Sequence, residues 1–394
     1  MGTPGRVIAV YALMYAAFGV SSPFMPAFLA SRGLGPEQLG IVFAAGTAIR
    51  LLSGPLCGRL ADLTQALRAV LLTCTVLAAL IALALLPAVG FWPVLGISLL
   101  QAAALAPITT LADAIALGVA RPRGAGPRFE YGWARGTGSA AFIVGTLLIG
   151  QSVGRWGLPS ILVAHAGLLL ASAAAGTGLP EPARSSRPPE RPADPPPGGV
   201  RALLGLRGFR VVMAVAALVL GSHAMHDAFA VIRWSAAGIT PAAASVLWSE
   251  SVAAEVVVFY LIGPPLIERL GPAGVLALAA GAATVRWVVM ALTAHIALLA
   301  LIQPLHGLTF AALHLACMRV IAAIVPRHLA ATAQALYALG AAAATALLTV
   351  ASGWLYARLG AEAFLVMALL PAAALPVTRR LGARRGERPA TPPR

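Results

Sequence analysis

The sequence predicts an all-α membrane protein of twelve transmembrane helices in two six-helix pseudo-symmetric halves. Three observations carry that prediction. Of 394 residues, 59% are hydrophobic and only 10% are charged, too apolar for a water-soluble chain and too long for one core. The chain also overlays on itself. Pro36-Glu-Gln-Leu-Gly leads to Arg50 and Gly58, and Pro241-Ala-Ala-Ala-Ser leads to Glu255 and Gly263, at one ungapped offset of 205 that Gly33/Gly238 and Phe24/Phe229 also keep. Opposite charges, Arg50 and Glu255, thus fall at matching positions of the two copies. The third observation is an alternation of arginine from loop to loop.

The elements follow from where apolar runs break. No residue between Arg68 and Asp113 is charged, and Pro87 with Gly90-Phe91-Trp92-Pro93 divides that run into two pieces, each long enough to cross roughly 30 Å of hydrocarbon. The same reading predicts spans over 7–30, 38–61, 69–88, 92–118, 132–152 and 157–178, an N-terminal half within 1–179. Spans over 209–233, 243–267, 272–293, 296–322, 330–355 and 361–377 form a C-terminal half within 208–378. Between them, 180–207 is a Pro/Arg-rich linker whose polar stretch buries no core, and 379–394 is a basic tail suited to anionic head groups. The first apolar stretch is long and eleven more follow, so it reads as a span rather than a cleaved signal.

All 28 basic residues are arginine. With the N-terminus inside, twenty-one lie in inner loops, linker and tail, and only Arg32, Arg155 and Arg358 lie in outer loops. This asymmetry predicts a cell (inner) membrane protein with both termini cytoplasmic, and explains the +15 net charge without a nucleic-acid partner. Cys57, Cys74 and Cys317 lack metal or redox spacing and read as packing residues. Neither His223/His226 nor His306/His314 forms a metal box, so no metal or cofactor is expected and an enzyme is not.

An ionisable residue in hydrocarbon costs at least ~2.5 to 3.5 kcal/mol, so it usually faces a cavity and has a partner. This chain places Arg50 in span 2, Asp113 in span 4, His223 and Asp227 in span 7, Glu250 and Glu255 in span 8, Arg286 in span 9, and His306, His314 and Arg319 in span 10. Both signs and titratable imidazoles are what proton-coupled transport requires. Glu255, flanked by Val256, Val257, Val258 and Phe259, is the leading proton carrier, with His314, Asp113, His223 and Asp227 as further proton-coupling candidates. His223 and Asp227, at i and i+4, are spaced to hydrogen-bond each other. Arg50, Arg286 and Arg319 offer the guanidinium fork that suits a carboxylate, joined by His306 and by Tyr15 of an apolar wall that includes Tyr11, Phe18, Trp234, Trp248 and Phe310. At the end of span 2, Gly58 should let another helix approach and Asp62 should meet a helix N-terminus or an arginine across the loop. With Arg68 and Arg135 these are the gating candidates, and Asp113 can serve as a gate as well.

The segment Gly58-Arg-Leu-Ala-Asp62-Leu-Thr-Gln-Ala-Leu-Arg68 resembles the signature between helices 2 and 3 of the major facilitator superfamily, with Leu63 where a basic residue is usual and Ala66 where Gly is common. Further stretches are similar to the phenylpropionate permease branch of its lactose-permease-like members: Pro107-Ile-Thr-Thr-Leu-Ala-Asp113-Ala, Tyr131-Gly-Trp-Ala-Arg135-Gly-Thr-Gly138-Ser, Val285-Arg286-Trp287, and Leu305-His306 through His314-Leu-Ala-Cys-Met-Arg319. The resemblance implies the major facilitator fold, with helices 1, 4, 7 and 10 lining a cavity, two halves that rock to alternate access, and a monomer that imports small organic solutes with protons. The matched positions are Arg50, Asp113, Arg135, His223, Glu255, Arg286, His306, His314 and Arg319; His226 and Asp227 depart from the branch. The expectation is therefore a proton symporter for a small solute such as an aromatic carboxylate. Proton-driven efflux of amphipathic compounds and sugar or nucleoside symport are the alternatives, with a membrane-embedded sensor or enzyme behind them.

Overall fold

The computed structural model describes residues 2–120, 129–181 and 199–382. Most of the linker, the end of the tail and Arg121, Arg123 and Arg128 of the loop after span 4 lie outside the described residues. Among the described residues every element is helical, and nine helices are long and apolar enough to cross a membrane. Two of the nine, Pro241–Leu292 and Arg327–Leu381, run for 52 and 55 residues. At about 1.5 Å per residue each is long enough for two crossings. The first turns at Gly271, whose φ of 68° only glycine adopts without strain. With the shorter apolar helix Ser160–Gly176, the described chain accounts for twelve spans.

Span 1 is Thr3–Ser21 continued by Met25–Ser31, span 2 Pro36–Thr64, span 3 Leu67–Ala84, span 4 Phe91–Leu105 with Ile108–Ala120, span 5 Tyr131–Trp156 and span 6 Ser160–Gly176. The second half opens with a short helix, Gly199–Gly205. Span 7 is Arg207–Gly221 with His223–Ala236, and span 8 is Pro241–Val257 followed by a π-helical turn, Val258–Ile262, before it turns into span 9 at Gly271. Span 10 passes from Ile296–Ile302 through Gln303–Leu305 and a second π-helical turn, Gly307–Ala312, into Leu313–Ile324. Spans 11 and 12 are Ala330–Leu359 and Ala363–Gly382.

The internal repeat is visible in the backbone. Gly33 and Gly238 both take left-handed φ, 92° and 84°, and Pro36 and Pro241 then open spans 2 and 8, where proline's fixed φ and missing N–H cost nothing. Among the described residues five spans are interrupted along their length: 1 at 22–24, 4 at 106–107, 7 at Ser222, 8 at 258–262, and 10 between 303 and 312. They include the four, 1, 4, 7 and 10, that the family resemblance assigns to a cavity.

Over the described residues the chain divides into two compact units. One comprises Met1–Arg191, His226–Val252 and Thr349–Gly360, the other Pro192–Met225, Ala253–Leu348 and Ala361–Arg394. The first is built on a core that includes Met14, Ala78, Ile115 and Leu169. In it the start of span 2 crosses the end of span 11 at two glycines: a Cβ on Gly353 would lie 2.5 Å from Pro36 O, and one on Gly40 2.8 Å from Thr349 O. Arg358 donates to Glu37 at 2.8 Å beside this crossing. Spans 5 and 8 meet in the same way, with Gly150 against Ser245 and Pro241 O. The second unit has its own core, including Phe209, Val212, Leu276, Ala280 and Leu313.

The outside carries the apolar residues. Trp156, Leu292, Leu301 and Leu347 are each more than 70% exposed, a surface suited to lipid rather than water.

Candidate functional site

The centre of the second unit is an arginine with no exposed surface. Arg286 lies in span 9, among Ala282, Ala283, Trp287 and Met290, all buried. A guanidinium in such surroundings needs polar partners, because a bare buried charge is not tolerated. It donates through Nη2 to Gln303 Oε1 at 2.9 Å, and through Nη1 to Thr309 Oγ1 at 3.3 Å and His306 Nδ1 at 3.2 Å, with His223 Nε2 at 3.5 Å. Its plane also lies 4.8 Å from the ring centroid of Trp287, whose Nε1–H is anchored on Ser222 at 2.8 Å.

This arrangement fixes the two imidazoles. Arginine only donates, so His306 Nδ1 is an acceptor and the ring proton sits on Nε2, which faces Glu255 Oε2 at 3.6 Å. His223 is the reverse: Nδ1 donates to Val219 O at 2.9 Å, and Nε2 accepts from Thr309 at 2.9 Å. The outcome is a polar chain from Arg286 through the neutral imidazole of His306 to Glu255, with His223, Thr309 and Gln303 as further partners of Arg286 and its neighbours. Glu255 and His306 keep 25% and 16% of their side chains exposed, while Arg286 keeps none. His314 is within electrostatic reach of Glu255.

The backbone around this chain is irregular for a reason. Both π-helical turns begin just after it, Val258–Ile262 after Glu255 and Gly307–Ala312 after His306, and such turns are frequent at functional sites. A Cβ on Gly307 would lie 2.7 Å from Ala254 O. Glycine therefore lets the backbones of spans 8 and 10 touch where Glu255 and His306 meet.

The first unit holds a second polar cluster. Tyr11 OH donates to Asp113 Oδ1, Arg135 Nη1 donates to Tyr15 OH, and Arg135 and Asp113 form an ion pair at 3.8 Å. Tyr131 also interacts with Asp113. On span 1, Tyr11, Tyr15 and Phe18 follow one another ring against ring.

The structure thus gathers Glu255, His306, His314, Arg286 and His223 in one place and Asp113, Arg135 and Tyr15 in another. Glu255 faces His306 at 3.6 Å. The described partners of His223 are Val219, Thr309 and Arg286, whereas Asp227 lies 3.3 Å from His226, a ring stacked on Trp248. Arg50 and Arg319 are exposed and belong to neither cluster. Among the described residues no heavy atom outside its own helix lies within 4 Å of where a Cβ on Gly58 would be, and Asp62 is exposed. Arg68 is tied to the end of span 6, through Glu181 at 3.4 Å and Leu179 O at 2.8 Å. Among the described residues no three His, Cys, Asp or Glu side chains are grouped to hold a metal. Gln303 and Thr309 went unnoticed in the sequence, although Gln303, His306 and Thr309 at steps of three put polar groups along one edge of an otherwise apolar span.

Twelve spans in two six-helix halves, broken helices and buried charge clusters define a solute transporter of the major facilitator fold, not an enzyme. The family model for the MFS_1 like family matches residues 6–366, and the chain belongs to that family. Among similar proteins are a probable 3-phenylpropionic acid transporter of Escherichia coli (strain K12), 32% identical with 91% of this chain and 93% of that protein covered, and a maltose permease of Geobacillus stearothermophilus, 26% identical over 71% and 69%. The solved nucleoside transporter NupG has the same fold, with a TM-score of 0.79 at 16% identity over 98% of this chain and 100% of that one. A bacterial homolog to the human lysosomal transporter Spinster gives 0.71 at 15% identity over 98% of each.

Proposed function

We propose that this chain is a proton symporter that imports a small organic anion, such as an aromatic carboxylate, by alternating access. The observation that carries the reading is the chain Arg286–His306–Glu255. A carboxylate facing the Nε2–H of an imidazole whose Nδ1 is already engaged by a buried guanidinium is poised to take up a proton, and its charge is felt by Arg286 through the ring. Protonation of Glu255 releases His306, and with it the contact between spans 8 and 10. Arg286 meets a solute only through His306, so its role is to set the state of the ring.

The family supports transport, and the similarity to a probable 3-phenylpropionic acid transporter supports the solute class. The arginine asymmetry supports an inner membrane with both termini cytoplasmic. The crossings at Gly40/Gly353 and Gly150/Ser245 are suited to a gate on the outer side, and the Asp62 segment to one on the inner side. The protein works in this reading as a monomer, with the solute and protons as its partners.

Uptake of labelled 3-phenylpropionate into proteoliposomes tests the reading. An inward proton gradient should drive accumulation above equilibrium, and collapsing it should return the label to the outside concentration. Accumulation only against the gradient would identify an exporter instead.

A further inference from the structure

We propose that the chain binds one anionic phospholipid where span 5 turns into span 6, with the lipid phosphate on Arg155 and an acyl chain in the groove beside it. The inference rests on the chain lying in a bilayer and is independent of what it transports.

Ser152, Trp156, Pro159, Ser160, Val163 and Ala164 line a groove of 430 Å³ at this turn, within the range of about 300–1,000 Å³ typical of small-molecule and cofactor sites. It opens to the surface, with Trp156 71% and Val163 57% exposed. Its two hydroxyls are already committed: Ser152 donates to Leu148 O at 3.0 Å and Ser160 to Gly157 O at 2.7 Å. The walls therefore offer no hydroxyl proton to a polar ligand and suit a hydrocarbon tail. Trp156 stands at the end of span 5, and tryptophan favours the depth at which head groups meet acyl chains.

Charge selects the head group. Arg155 lies in the last turn of span 5, three residues beyond Ser152 and so on the same side of the helix. The arginines of the other two loops at this end are engaged: Arg32 lies over Phe28, and Arg358 donates to Glu37 and lies over Trp354. Arg155 is exposed and has, among the described residues, no hydrogen bond or ion pair, which leaves its whole fork for a phosphate. From Tyr131 to Pro180 the sequence has no Asp or Glu, so spans 5 and 6 hold no carboxylate for the ammonium of a zwitterionic head group, and a lipid of net negative charge fits better. A groove of six lining residues is also far short of the about 1,200–2,000 Å² that a stable contact between two proteins buries, which favours a lipid over a second copy of this chain. Bound lipid would brace span 5. Gly150 meets Ser245 of span 8, and Ser152, two residues on, lies about 200° round the helix, so span 5 would be held between span 8 and the acyl chain.

The test is photolabelling of the purified full chain in detergent with a phosphatidylglycerol that carries a diazirine on one acyl chain, followed by peptide mapping. In the wild type the label should fall within 148–164. Unlabelled phosphatidylglycerol should displace it about fivefold better than phosphatidylethanolamine of the same chains, the gain expected from one arginine at a lipid surface, and soluble glycerol 3-phosphate should not displace it. Arg155→Gln should keep the label and erase the difference between the two lipids. Ala164→Phe, which fills the groove, should remove the label at an unchanged Tm; if that protein does not fold, Val163→Trp, at an exposed position, should do the same. No label within 148–164, equal displacement by the two lipids in the wild type, or variants that behave as the wild type overturn the proposal. So does displacement by glycerol 3-phosphate as strong as by the lipid, which would make this a site for free phosphate, and so does a dimer cross-linked through these residues, which would give the groove to a second copy.

Discussion

Adding one methyl group at Gly307 should uncouple the transporter without touching a charged residue. A Cβ there would sit 2.7 Å from Ala254 O and 2.8 Å from a Val258 methyl. The first is backbone and cannot rotate away, so spans 8 and 10 must separate by about 0.7 Å to reach an ordinary contact near 3.4 Å. Ala254 and Gly307 adjoin Glu255 and His306, so the pair at 3.6 Å should open to about 4.3 Å. His306 is neutral here, so what weakens over that step is the attraction of its Nε2–H dipole for the Glu255 carboxylate, a loss smaller than the about 0.7 kcal/mol that two unit charges would lose at an effective dielectric constant of 20. The overpacking itself costs about 1–3 kcal/mol. The assay is the ratio of gradient-driven accumulation to gradient-free exchange of 3-phenylpropionate in Gly307→Ala proteoliposomes, with the apparent Tm in detergent. The ratio should fall, by less than about threefold, and the Tm should drop. A wild-type ratio with a wild-type Tm would show that the spans do not touch here and refute the reasoning.

Other substitutions test neighbouring parts of the account. Arg286→Met strips a buried cation from Gln303, Thr309 and His306 and should cost about 3–5 kcal/mol, read as a large loss of Tm, whereas Arg68→Ala removes a surface ion pair with Glu181 worth less than about 1 kcal/mol and should leave Tm nearly unchanged. Trp287→Phe keeps the ring and loses the bond to Ser222, which should cost about 1 kcal/mol in the same assay. Gly353→Val places a side chain against Pro36 O and should hold spans 2 and 11 apart. Transport should fall, and a cysteine introduced at Gly40 should gain reactivity toward an impermeant thiol reagent.

The sequence carried the architecture because span length, loop charge and the repeat are each set by the bilayer or by duplication. The left-handed turns at Gly33 and Gly238 and the helices that open at Pro36 and Pro241 follow from residues visible in a single line of text. The two polar clusters were legible as a set of residue types, since a charge in an apolar span requires a reason. Their pairings were not. Whether Glu255 meets an arginine or His306 depends on how spans 8 and 10 rotate, and that rotation is set by Gly307 and by π-helical turns that leave no periodic signal. Gly58 shows the converse: a glycine at a helix end suggests a close neighbour, yet among the described residues none lies within 4 Å of where its Cβ would be.

The central claim is that Glu255 carries the coupling proton, and uptake by Glu255→Gln tests it most directly. Glutamine keeps the shape and an oxygen facing His306 but cannot exchange a proton. Proteoliposomes of the variant should therefore exchange 3-phenylpropionate as the wild type does and fail to accumulate it under an inward proton gradient. Accumulation at the wild-type level would contradict the account.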